Sequence, residues 1–387
     1  MKVRYVVFVM LVCLWVSAIV QPTNGSAQRQ GGAASACTFP TSPAPTPEQT
    51  AWQLFVAANC PSGNQLVWET WIEQLDLFPA SGTANVAAGQ HKRLHGSPLA
   101  HATTAKRAGA APQLAPSTEC NTMGGPPSNV VPNAIICEEA RLNPSAQSFV
   151  TSNTYQIRSG QTAAAKAGTN IQFPASGVEV KVDWIPGTDF NPPFTCSSPP
   201  QGVHVETIDG TCYAMAGMHI SSKLMPDWIW ATFEPQNMTT NPNRCITFGS
   251  CTDKWGSNPA LSNGGTAGFT KPTSALQALM KAANLAPEFL NYRLDGVQTT
   301  FGTATNPTLL GNSVIEGENV GMTKGTASCI TCHSVSTIKN DGSDGIALIN
   351  NQVGPQFVPP AGYIARDFAW SLALACPGGI QNCTSSR

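Results

Sequence analysis

Charge is the scarcest property of this 387-residue sequence. Asp, Glu, Lys and Arg make up only 11% of it, well under the roughly 25% of ordinary soluble domains. The 22 acidic and 21 basic side chains nearly cancel, to a net −1. That balance removes any electrostatic case for a nucleic acid or an anionic membrane surface as partner. No apolar run reaches the roughly 20 residues that a spanning helix needs; the longest, Tyr5–Val20, is shorter. Also missing are an internal repeat, a G-x-S-x-G elbow, a Walker loop and an H-E-x-x-H helix. No motif therefore points to a serine hydrolase, a P-loop NTPase or a zincin. A second C-x-x-C is absent, as is any Met or His after residue 333.

Glycine (34) and proline (31) are abundant, which predicts long neutral loops. At the N-terminus Lys2 and Arg4 precede Tyr5–Val20, and the small residues Gly25-Ser26-Ala27 follow. This is the order of a secretory signal. The sequence predicts a signal peptide over 1–27, a flexible leader over 28–46 and a single domain over 47–387, loop-rich over 79–150. The mature chain then has no transmembrane segment and is periplasmic or secreted. Cysteine usage agrees with export. Of 13 cysteines, Cys13 goes with the signal and two more belong to a motif. The remaining ten, an even number, read as disulfides. Neighbours in sequence make the natural pairs: Cys37–Cys60, Cys120–Cys137, Cys196–Cys212, Cys245–Cys251 and Cys376–Cys383.

Periodicity places the elements. Thr46-Pro47-Glu48-Gln49 reads as a helix start, with an N-cap Thr and Pro at the first helical position. Trp52, Phe55 and Val56 then share a face. A second helical spacing runs through 66–78, at Trp68, Trp71, Ile72 and Leu75; ordinary core accounts for this stripe. The middle alternates with period two, as half-buried strands do. The strands are 177–184, 203–208, 211–220 and 227–234, with Asp209-Gly210 as a hairpin turn. After 270 the spacing turns helical, at 274–285 and within 312–333, and 365–375 fits either strand or helix. The class expected is α+β: an antiparallel sheet with N-terminal helices and a C-terminal helix that carries the motif.

That motif is Cys329-Ile330-Thr331-Cys332-His333. It matches covalent c-type haem attachment. Two thiols on one helical turn can reach the two vinyl groups of a porphyrin, and the next residue, His333, becomes the proximal iron ligand. A structural zinc site would want a second ligand pair. A thioredoxin-like pair would follow a strand in a βαβ unit. The cofactor expected is therefore one covalent haem c.

The far side of the iron separates the functions. Electron-transfer cytochromes place Met or His there, and neither follows His333. A distal ligand comes from earlier in the chain or is absent. Met218, His219, Met225 and Met322 are the candidates; for each the competing reading is a core Met or a half-buried His. Met218 and His219 are strand neighbours, so only one of them faces a given side of the sheet. An open far side would admit a small gas or peroxide. Lys223 is a candidate partner for haem propionates. His91 and His95 stand four apart, a metal-binding spacing on a helix, but with His101 they read as a solvated basic loop. His204 reads as a hydrogen-bonded strand residue.

The chain resembles a group of bacterial cytochrome c family proteins. The resemblance rests on WQLFVAANCP and VWETW near 52–71, VEVKVDW at 178–184, GMHISSKLMPDWIWATFE at 217–234, SCITCH at 328–333 and DFAWSL at 367–372. The family pattern reads H-I-x-x-K and then W-I-W-x-T-F-E-H; here Pro235 stands in place of the last histidine. The resemblance implies one covalent haem and export, without a substrate. A sheet followed by a C-terminal C-x-x-C-H also looks like cytochrome c-prime-beta and its hydroxylamine-oxidising relatives, which keep an open distal face. The function expected is single-electron transfer to periplasmic redox partners. The alternative is a haem enzyme or gas-binding protein, peroxidase-like or acting on a small nitrogen compound.

Overall fold

The computed structural model describes residues 36–78, 120–124, 129–236, 251–262, 269–319, 327–345 and 353–375. The signal segment, His91, His95, His101, Met322, Cys245, Cys376 and Cys383 lie outside them.

The fold is α+β, and the period-two segments form its centre. Strands β1 (Ile72–Glu73), β2 (Cys120–Thr122), β3 (Ile135–Leu142), β4 (Val178–Pro186), β5 (Val205–Ile208), β6 (Thr211–Ser222), β7 (Ile229–Pro235) and β8 (Tyr292–Gln298) make one antiparallel sheet. The order is β8-β7-β6-β4-β3-β1, with β2 also on β3 and β5 also on β6. Asp209 and Gly210 turn the β5–β6 hairpin with φ of 50° and 82°, the left-handed pair that a two-residue turn demands.

One face of the sheet is apolar. Val178, Val180, Val182, Met218, Ile220, Ala231, Phe233 and Leu294 form it. Helix α1 (Pro47–Ala58) packs there, with Trp52 and Phe55 against Phe233 at 5.0 and 4.4 Å between ring centres. Thr46 starts α1 as expected, its Oγ1 accepting from the Gln49 amide at 3.2 Å. The helix α4 (Ser274–Ala282) adds Leu276 and Met280 to the same core. Each such large side chain contributes roughly 1.5–3 kcal/mol by leaving water.

The other face mixes polar and apolar residues and carries the segments 329–339 and 363–375. There, helices α2 (Pro144–Ser152) and α3 (Arg158–Lys166) join the motif helix α5 (Cys329–Ser334) and the hairpin of β9 (Thr337–Lys339) with β10 (Tyr363–Ala365). Ile330, Ile338, Leu372 and Trp230 are buried in this second core.

Cys37–Cys60, Cys120–Cys137 and Cys196–Cys212 are bonded as expected. Cys251 is disulfide-bonded too. Among the described residues no helix is long and apolar enough to cross a membrane.

Two expectations fail for physical reasons. Residues 66–78 are not one helix. A short 3₁₀ turn, Trp68–Thr70, is followed by β1 and a four-residue helix, Gln74–Leu77. The Glu73 carboxylate breaks the run by accepting from the Leu75 and Asp76 amides, while Ile72 and Glu73 pair with Leu142 and Arg141. The described part of 79–150 includes β2, β3 and the start of α2. The chain after 270 is also not wholly helical, because Tyr292–Gln298 is an edge strand on β7.

Candidate functional site

Helix α5 is too short to hold itself, and the sheet supplies what it lacks. Gln298, at the end of β8, accepts from the Ile330 amide at 3.0 Å and donates to Ser328 Oγ at 3.0 Å. It does for this helix start what a capping side chain does elsewhere. Thr331 Oγ1 donates to the Gly354 carbonyl at 3.1 Å, and Ser334 Oγ accepts from the Phe357 amide at 3.1 Å. Ile330, Thr331 and Ser334 therefore face inward and are buried. Cys329, Cys332 and His333 fall on the opposite side of the turn and are half-buried.

Every other described cysteine is disulfide-bonded; Cys329 and Cys332 are free thiols. Burial raises both, Cys332 to about 11, with the Glu316 carboxylate adding to the rise. A redox or nucleophilic pair needs the opposite, a depressed thiol. His333 is pushed down to about 4, chiefly by burial. Its Nδ1 lies 2.8 Å from the Phe368 carbonyl, so that nitrogen carries the proton and Nε2 keeps its lone pair. Trp230 packs against the imidazole at 4.4 Å and Phe368 closes on Trp230 at 6.0 Å. The Trp370 indole donates to the Cys332 carbonyl at 3.3 Å.

Strand register decides which residues share this side. Ala140, Lys181, His219, Thr232 and Gly296 lie opposite one another across five strands, and Glu179, Ser221, Trp230 and Gln298 form the next row. Trp230 and Gln298 touch the motif, so His219 and Lys181 project to the same side. His219 Nε2 is 3.3 Å from Glu316 Oε1, and Lys181 Nζ is 2.8 Å from Glu138 Oε2. Glu316 stands in a π-helical turn, Ser313–Asn319. Asn312 seats it by donating to Thr232 Oγ1 and the Phe233 carbonyl at 3.0 and 3.1 Å. Gly217 makes room, because a Cβ there would lie 2.8 Å from Ile315 Cδ1. Despite its burial, Glu316 is lowered by His219 and Lys181, so the wall beside the motif carries an ionised carboxylate.

Of the three distal candidates among the described residues, His219 alone is on the motif's side. Met218 is fully buried in the α1 core, with Asn59 Nδ2 3.4 Å from its sulfur. Met225 packs against that same core. Lys223 is committed elsewhere, 2.6 Å from both Asp367 Oδ1 and the Pro226 carbonyl. No signal in the sequence marked Gln298 or Glu316, and Phe368 stood out only as part of the DFAWSL stretch, since each acts by long-range contact.

His204 is bonded at both nitrogens, 2.9 Å from Glu206 and 3.3 Å from Glu288, and it stacks on Phe289 at 4.8 Å. Burial alone would lower it, but the two carboxylates outweigh burial and raise it from 6.5 to about 9. The imidazolium therefore stabilises the fold fully below pH 6.5, and that contribution disappears as pH rises through about 9. The difference corresponds to roughly 3 kcal/mol. Urea unfolding from pH 6 to 9.5 should show wild type losing stability relative to His204→Gln. Parallel pH curves for the two proteins would count against a charged His204.

Comparison with known proteins gives no match: no family model, no curated protein and no solved structure is significantly similar to this chain.

Proposed function

We propose that the protein is an exported c-type cytochrome. It carries one haem bound through Cys329 and Cys332, with His333 as proximal ligand, and passes single electrons to periplasmic partners. One observation carries this reading. The free thiols of the described residues share one helical face with a neutral imidazole whose Nδ1 is already committed. The donor set suits the group: two thiols to tether it, one nitrogen to bind iron, and aromatic walls in Trp230 and Phe368 to exclude water. When bound, haem supplies reversible one-electron iron chemistry. The chain's part is to fix the imidazole, bury the site and hold charge near it. The disulfides support an oxidising compartment, which is where c-type attachment occurs.

A second reading rests on one feature. His219 is paired with Glu316, in a wall that also holds Lys181. If that pair persists beside the iron, the far side is open and ionisable, as a gas-binding or peroxide-reducing site requires. Optical spectra of the ferric and ferrous protein, with and without carbon monoxide, separate the two. The electron carrier is expected to be low-spin and inert to the gas. His219→Ala should then convert it to a high-spin form that binds the gas readily. Rapid binding by wild type would select the open-site reading. Gas-inert, low-spin spectra in both proteins would remove His219 as ligand.

A further inference from the structure

Two stretches far apart in sequence meet behind His333. Asp367 and Phe368 are consecutive residues with φ of 50° and 69°. Neither is glycine, and a left-handed backbone is strained for a residue with a side chain. The second of them supplies the carbonyl that accepts from His333 Nδ1–H. Something must hold this turn, and its partners are specific. Asp367 Oδ1 is 2.6 Å from Lys223 Nζ, and its Oδ2 accepts from the Phe173 amide at 2.7 Å. The ion pair is largely buried, with side chains 12% and 5% exposed. Lys223 is itself anchored, its amide donating to the Gly177 carbonyl at 2.9 Å. Ser336 grips the turn from the motif side: its carbonyl accepts from the Arg366 amide and its hydroxyl donates to the Ala369 carbonyl.

We propose that Lys223 and Asp367 form a positioning device for His333. The ion pair holds the left-handed turn, the turn aims the Phe368 carbonyl at Nδ1, and that contact presents Nε2 as the ligand nitrogen. The proposal rests on the haem reading and adds a consequence to it. A carbonyl accepting from Nδ1–H makes the imidazole a stronger donor and favours ferric over ferrous iron. Without the ion pair the turn relaxes, the contact lengthens and the ferrous state gains.

The test uses the haem-loaded protein. In Lys223→Met the midpoint potential should rise, with a change on the order of tenfold in the ferrous-to-ferric ratio at fixed potential, or about 59 mV for one electron. In the His219→Ala background, where the ferrous iron is expected to be high-spin, the iron–histidine stretch in the resonance Raman spectrum should fall. Lys223→Arg, which keeps the charge, should restore both. If Lys223→Met does not accumulate, Asp367→Asn replaces it with the same expected shifts, because its amide oxygen can still accept from Phe173. Haem-loaded variant with unchanged potential and unchanged stretch would overturn the positioning role alone. Wild type without covalent haem would overturn the cytochrome reading beneath it.

Discussion

Replacing Cys329 and Cys332 together by Ala is expected to yield protein with no covalent haem. The effect is all or none, because the thioether links have no other source among the described residues, where every remaining cysteine is tied in a disulfide. Denaturing gels stained for haem, with the intact mass of the purified chain, provide the measurement. Wild type should carry the mass of one haem and the double variant none. Each single variant should keep a weaker, one-link attachment. The fold should survive. Cys329 Sγ makes one long hydrogen bond, to the Leu310 carbonyl at 3.8 Å, and both side chains are only half-buried. A stability loss near 1 kcal/mol is the scale for such truncations. Pigment that stays attached in the double variant would defeat the central proposal. A wild-type chain with an internal Cys329–Cys332 disulfide and no added mass would point to thiol chemistry instead.

The second large effect concerns the fold. Glu139 and Arg141 are fully buried, two apart on β3. Arg141 Nε donates to Glu139 Oε1 at 2.8 Å, and its Nη1 donates to the Trp71 carbonyl at 2.5 Å. The Trp184 indole donates to Glu139 Oε2 at 3.0 Å. These contacts tie β3, β4 and the 68–73 segment into the α1 core. Arg141→Met should cost about 3–5 kcal/mol, because it strands a carboxylate out of water. Adding Glu139→Leu should recover much of that loss, since two apolar residues leave no unpaired charge behind. Urea midpoints of the two variants, with disulfides intact, provide the check. A single variant within about 1 kcal/mol of wild type would mean that the pair is not desolvated as its burial indicates.

That pair also explains what sequence pattern could not reach. IICEEARL shows no alternation at 135–142, because β3 is closed over on both faces and two of its inward residues are charged. Their burial is tolerable only through partners about 45 and 70 residues away in the chain. YRLDGVQ at 292–298 fails in the same way, with Arg293 3.1 Å from Glu234 of β7 and 3.2 Å from Asp295. At 66–78 the helical spacing was real, but a carboxylate competed for the backbone amides and won.

By itself the sequence determined whatever depends on near neighbours. Strand faces at 178–184 and 211–220 follow from period-two alternation, the α1 start from its Thr46 cap, and three disulfides from proximity along the chain. The Cys329-x-x-Cys332-His333 spacing likewise put two thiols and an imidazole on one helical turn. Tertiary structure decided which sheet face the motif docks on. It thereby set His219 beside the motif and buried Met218 on the far side, since adjacent strand residues point oppositely and only packing chooses between the sides. It also brought Lys223 to Asp367 across 144 residues of chain and set the Phe368 carbonyl on His333. Such contacts depend on where whole elements come to rest, and no local pattern encodes that.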